Sequence, residues 1–303
     1  MELQITTLIE NEPDDKGVLK YEHGLSLYIE FQGKKILFDT GQTGVFLENA
    51  KALGKSLEAV DYILISHGHY DHSGGVPRLL ESLEKKLVLS ENKPTDKIPL
   101  LVGAEFFHPK YKQLPDGSWH YNGNPFGVEK IDKAPVVLQK ITEDMTYIAE
   151  NIVVFKNFKR YTNFEGTNLK FFVKQSQVGT DKAGMGIESQ EEYLQDEFVD
   201  EIALGLITTK GIVLVVGCSH VGIVNILENV TERTGLPIYA VLGGTHLVEA
   251  GEERLQETMS AFRRLKVQEI AVSHCTGEQG VVLVKKQFGD AFIRNNTGNV
   301  YTL

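Results

Sequence analysis

"DYILISHGHYDHSGG", residues 61–75, carries three histidines and an aspartate within six consecutive positions: His67, His69, Asp71 and His72. They directly follow the apolar run Tyr62-Ile63-Leu64-Ile65. The run reads as a buried strand and the polar cluster as the loop at its end. In layered α/β folds, ligand-binding side chains gather at strand ends. His67 and His69 are two apart, so on extended backbone they point to the same side. Asp71 and His72 follow at a turn and can face a second ion. Neutral imidazole and carboxylate suit Zn²⁺, Fe²⁺ or Mn²⁺. The spacing H-x-H-x-D-H therefore predicts two neighbouring divalent ions, zinc first among them, holding a water of lowered pKa. The alternative is a polar loop of solvent-exposed histidines, which gathers three of the chain's nine histidines by chance.

Two ions need more donors than one loop offers. "LVVGCSHVG" supplies Cys218 and His220, and "IAVSHCTG" supplies His274 and Cys275, both after apolar runs. His220 and His274 read as ligands, the alternative being core histidines with satisfied hydrogen bonds. The Cys218 thiolate is a candidate ligand or bridge, against a small buried hydrophobe. Cys275 points away from His274 if the strand continues, so it reads as packing. Asp39 ends "KILFDTG", where its carboxylate can accept a hydrogen bond from a ligand histidine and fix its tautomer. An Asx turn before Gly41 is the alternative. His246, after "VLGG", and His23, in "YEHGLS", are candidates for acid–base or substrate contact. Arg160 is a candidate phosphate contact. His108 and His120 have no partner that the sequence names.

The rest of the chain supports an α/β reading. "LQITTLIE" reads as a strand and "LSLYIEFQGKKILFDTG" as a hairpin turning near Gly33. "VFLENAKALG" and "GVPRLLESLEKK" read as helices, the latter with Pro77 in its first turn. The last hundred residues repeat this grammar: strands "GIVLVVG", "IYAVLGG" and "EIAVSH" alternate with helices "VGIVNILENVTERTG" and "LQETMSAFRRLK", and "AFIRNNTG" reads as a final strand. The span of about 91–200 is rich in Pro, Gly, Asn and aromatics. It is expected to be a lid-like insertion in a single domain of residues 1–303, with Trp119, Tyr121 and Phe126 available to stack a planar ring.

Composition narrows the function. Of 303 residues 42% are hydrophobic, enough for a large core. Acidic residues outnumber basic ones 41 to 31, and no Lys/Arg block suggests a nucleic-acid surface. Two cysteines exclude a disulfide scaffold. No run approaches the roughly 20 apolar residues of a membrane span, and the start of the sequence lacks the pattern of a secretory leader. The expected setting is cytoplasmic.

Taken in order, "LFDTG", His67-x-His69-x-Asp71-His72 and "SHCTG" resemble the metallo-β-lactamase superfamily. "EHGLSLYIE", "GCSHVGIVNIL" and "GGTHL" are similar to one branch of it, named after an archaeal dihydropterin–ribofuranosylaminobenzene phosphate synthase. The resemblance implies a four-layer αββα sandwich with two metals at the strand edge between its halves. It implies that His67, His69 and His220 hold one ion, and Asp71, His72 and His274 the other. It also implies a phosphorylated, pterin-like small-molecule substrate and transfer with loss of pyrophosphate. One departure stands out: Cys218 occupies the place of the superfamily's bridging aspartate, and His220 substitutes for a histidine absent near "LQDEFVDE". Hydrolysis of a phosphodiester, thioester or lactone is the second expectation. A metal-stabilised binding protein without turnover is the third.

Overall fold

A computed structural model describes residues 3–89, 97–132, 134–177 and 190–303. The first half opens with strands β1 (Leu3–Ile9), β2 (Ser26–Phe31) and β3 (Lys34–Phe38), helix α1 (Phe46–Ala52) and strand β4 (Tyr62–Leu64). Helices α2 (Tyr70–Ser73) and α3 (Val76–Leu89) follow. The middle holds β5 (Ile98–Gly103), β6 (Lys110–Gln113), β7 (Trp119–Tyr121), α4 (Val128–Asp132), β8 (Val136–Ile141), β9 (Met145–Ala149), β10 (Ile152–Phe155), β11 (Phe171–Gln177) and β12 (Gln190–Gln195). The last part runs β13 (Ala203–Thr208), β14 (Gly211–Val216), α5 (Ile223–Thr234), β15 (Ile238–Gly244), α6 (Glu252–Arg264), β16 (Glu269–Ser273), α7 (Gly277–Phe288) and β17 (Val300–Thr302).

Two large sheets result, ordered β17-β1-β2-β3-β4-β5-β8 and β16-β15-β14-β13-β10-β9. Central strands such as β10 and β14 are apolar on both faces because each face has a partner. In β14, Val213 and Val215 join the core between the sheets, with Phe38, Leu64 and Leu204. Ile212, Leu214 and Val216 of the same strand pack outward with α5 and α6 residues such as Leu227 and Phe262. Phe46 of α1 and Leu79 and Leu80 of α3 cover the outer face of the first sheet. The layers are thus helix, sheet, sheet, helix. Leu204 is fully buried between the sheets, so Leu204→Ala is expected to cost about 2–5 kcal/mol of stability, read from the denaturant midpoint at unchanged slope.

The span expected as an insertion divides three ways. β5 and β8 extend the first sheet, and β9 and β10 extend the second. β6, β7, β11 and β12 form a separate four-stranded sheet. Short apolar runs among irregular connections hid the sheet strands; residues 91–96, 133 and 178–189 of this span lie outside the described residues. The expected strand "AFIRNNTG" is corrected: it makes one isolated bridge, Ile270 to Phe292. Its polar side chains bond elsewhere, Asn295 to Thr7 at 2.6 Å and Asn296 to the Pro13 carbonyl at 2.8 Å. The last strand is β17, antiparallel to β1.

Strand direction positions the site. β14, β15 and β16 are mutually parallel, so Cys218–His220, Thr245–His246 and His274 emerge at one end. β3 and β4 are parallel too, which brings Asp39 beside His67.

Candidate metal centre

Asp39 is the hub of the first wall. It adopts a left-handed φ of 59°. Its Oδ1 accepts the Ser66 N–H at 2.7 Å and its Oδ2 accepts the Ser66 hydroxyl at 2.8 Å. His72 Nδ1 donates to the same Oδ2 at 2.6 Å. Ser66 Oγ, having given its hydrogen to Asp39, receives His67 Nδ1 at 2.9 Å. One carboxylate thus sets two rings, His72 directly and His67 through a serine, and turns both Nε2 atoms inward. Gly217 makes this possible, since a Cβ there would lie 2.1 Å from Ser66 Oγ.

Two donor sets face inward from these strand ends. His67, His69 and His220 bring one nitrogen each to within 4.8 Å of one another. Asp71, His274 and His23 form a second such set; His67, His72 and Cys218 form a third that shares His67 with the first, and Cys218, His274 and Cys275 a fourth that shares His274 with the second. His72 Nε2 lies 3.1 Å from Cys218 Sγ and 3.2 Å from His274 Nε2. Asp71 Oδ2 lies 3.4 Å from His274 Nε2 and 3.1 Å from His23 Nε2. His274 is oriented by the N-terminal segment: Glu10 accepts its backbone N–H at 2.6 Å, and Asn11 Oδ1 meets its Nδ1 at 2.9 Å.

The donors suit cations. The Nε2 atoms of His67, His69 and His220 are buried without a hydrogen-bond partner among the described residues. Burial, then neighbouring histidines, holds His67 and His220 well below the ordinary imidazole range; burial, then Lys110, brings His69 down to about 3. These rings are neutral, with lone pairs free, at pH 7. His72 differs: burial opposes its charge, but Asp39 and Asp71 outweigh it and raise it to about 9. Burial would raise Asp71 too, yet His72 and hydrogen bonds from His23 and His274 hold it well below the ordinary carboxylate range. Burial pushes the Cys218 thiol well up. A neutral three-histidine set beside a carboxylate–histidine set fits divalent ions.

Cys275 requires a correction. The strand stops at Ser273, and His274 turns the chain with φ 53°. Cys275 Sγ therefore points back, 3.4 Å from the Cys218 carbonyl. His246 stands 4.4 Å from the His220 ring with both nitrogens buried and without a hydrogen-bond partner among the described residues, and burial lowers it to about 4. Arg160 is held by the Val221 and Glu165 carbonyls at 3.1 and 3.2 Å rather than exposed on a loop. His108 and His120 are exposed, away from this cluster. Trp119 and Tyr121 lie on β7, and Trp119 stacks one of its faces on Tyr193 at 4.0 Å.

Other residues around the centre escaped the sequence reading. Phe171, from β11, lies 5.1 Å from His69, 5.5 Å from His220 and 6.2 Å from His246 between ring centres. Phe198 stacks on His220 at 4.0 Å, its plane 4° from parallel. Glu201 accepts the N–H groups of His220 and Val221 at 2.8 and 2.9 Å. The acidic run 196–201, set around a lone Phe-Val pair, was the available signal.

Two packed sheets between helices, with histidines and acids at their strand ends, define a metal-dependent enzyme on an αββα sandwich. Residues 21–146 match the pattern of the metallo-β-lactamase superfamily. The chain is 28% identical to a 7,8-dihydropterin-6-methyl-4-(β-D-ribofuranosyl)-aminobenzene-5'-phosphate synthase of Methanocaldococcus jannaschii, over 98% of this chain and 96% of that protein. The crystal structure of a metal-dependent hydrolase of the β-lactamase superfamily aligns with a TM-score of 0.78 at 27% identity, covering 99% of this chain and 98% of the other. The Bacillus subtilis protein YhfI shares the fold, with a TM-score of 0.58 at 12% identity and 100% and 99% coverage.

Proposed function

We propose that this enzyme transfers a pterin-like group from a diphosphate ester to an arylamine. His67, His69 and His220 hold one divalent ion, and Asp71, His72 and His274 a second, with Cys218 between them. The observation that supports this reading best is the shared wall of the two donor sets: His67 groups both with His69 and His220 and with His72 and Cys218. Ions held by adjoining sets would supply positive charge to a diphosphate. The similarity to the jannaschii synthase over nearly the whole chain supplies the substrate class.

Bound ions would neutralise the leaving diphosphate as Lewis acids. The carbon–nitrogen bond forms at the pterin methylene, the carbon–oxygen bond to diphosphate breaks, and the amine gives up a proton. His246, neutral beside His220 and without a hydrogen-bond partner among the described residues, takes that proton. Arg160, whose Nη2 lies 3.5 Å from Glu197, would contact the phosphate by exchanging that carboxylate for it. Phe171 lies over the reacting groups with the four-stranded sheet as cover, and residues 1–303 act as one domain.

The test is direct. Protein loaded with zinc, iron or manganese is given hydroxymethyl-dihydropterin diphosphate with and without an arylamine. Pyrophosphate release that needs the amine, with the coupled product in the mass spectrum, is expected. Release without the amine would instead favour hydrolysis, the second reading, which the 27%-identical hydrolase supports. No turnover by loaded protein in either assay would remove this substrate class.

A further inference from the structure

Lys110 comes from β6 in the separate sheet, yet its ammonium is 2% exposed and lies under the centre. Its Nζ reaches Asp196 Oδ2 at 2.7 Å and Asp200 Oδ1 at 2.9 Å. The other Asp200 oxygen accepts the N–H of Gly68 at 2.8 Å. Gly68 is the single residue between His67 and His69, and it has no room for a side chain: a Cβ would lie 2.5 Å from the Phe106 carbonyl and 3.2 Å from Lys110 Cε.

The same knot reaches His220. Asp196 Oδ1 accepts the N–H of Phe198 at 2.8 Å, which holds that residue at a left-handed φ of 54°. The Phe198 ring then lies flat on His220, and Lys110 Nζ sits 5.2 Å from the Phe198 centre. Three donors from two distant loops are therefore braced against one buried ammonium.

We propose that Lys110 is a positioning residue for the His67–His69–His220 donor set, acting through Asp200 on the His67–His69 loop and through Asp196 and Phe198 on the His220 ring. The inference rests on those histidines holding an ion. A buried ion pair is poor evidence of stability, because a well-packed apolar residue does as well. Its use here lies in geometry and field. One ammonium and two carboxylates leave a net negative charge beside three neutral imidazoles, which favours an added cation. Partners that orient metal ligands are worth about 10–100-fold in affinity.

The experiment uses the full chain, stripped of metal and titrated with cobalt(II), with visible absorption and chelator competition as readouts. His220→Ala and His274→Ala identify the signal of each donor set. Lys110→Met and Asp200→Asn are expected to weaken the His220-dependent set about 10–100-fold and to change its absorption bands, leaving the His274-dependent set as in the wild type. Unchanged bands and affinity in both variants would overturn the inference. So would equal weakening of both sets with a lower melting temperature, which a purely structural role gives. Should Lys110→Met not fold, Asp200→Asn decides by the same readouts, since it keeps an oxygen toward Gly68 while removing the charge and the acceptor that face Lys110. A wild type with no His220-dependent signal would refute the ion itself rather than the positioning.

Discussion

Replacing His220 with alanine is expected to remove one equivalent of metal and to lower kcat/KM by about 10³-fold, roughly 4 kcal/mol of charge stabilisation. The His220 ring nitrogens make no hydrogen bond among the described residues. Truncation therefore breaks no side-chain hydrogen bond, and what the chain loses without metal is ring packing against Phe198, Phe171, His246 and the neighbouring His67 and His69. The loaded chain loses one donor of its three-histidine set. Elemental analysis and melting curves with and without chelator separate the two effects. A full complement of metal in the variant would sink the assignment of His220. His67→Ala is expected to do more harm, because His67 borders both donor sets.

The two donor sets should also differ in their response to pH. His72 is raised to about 9 by Asp39 and Asp71 against the pull of burial. Without metal it carries a proton at pH 7, and an ion must displace that proton to bind. Affinity of the Asp71–His72–His274 set should rise about tenfold per pH unit from 7 to about 9 and then level off. The His67–His69–His220 set is already neutral and should stay nearly flat across that range. For the metal-free fold the sign is opposite. The raised pKa adds stability that is fully present below about 6.5 and is lost as pH rises through about 9. Isothermal titration in buffers of different ionisation enthalpy counts the protons released. No pH dependence for the second set would mean that His72 is not its ligand.

The histidine loop and its partners were legible because each follows a strand. An apolar run followed by His, Cys or Asp is a local signal, and parallel strands bring such ends together whatever their separation in sequence. Asp39 is the clearest case: one residue at a strand end was expected to orient a histidine, and it orients His72 directly and His67 through Ser66. The turn at His274 was not legible. A left-handed φ at a non-glycine residue is imposed by tertiary contacts, here Glu10 and Asn11. Nor was Lys110. A lysine in a polar, aromatic strand gives no hint of burial until two distant aspartates are placed on it.

The grip of Glu10 and Asn11 on His274 also governs when the centre can exist. These partners are 264 and 263 positions apart. During synthesis at about 5–20 residues per second, the N-terminal pair waits on the order of ten seconds or more for its histidine to leave the ribosome. The His67–His69 loop emerges early, but neither donor set is complete until His220 and then His274 follow. A nascent chain therefore offers incomplete chelation for most of its synthesis. Metal capture falls late in biogenesis, when whatever ion the cell then keeps free is the one acquired.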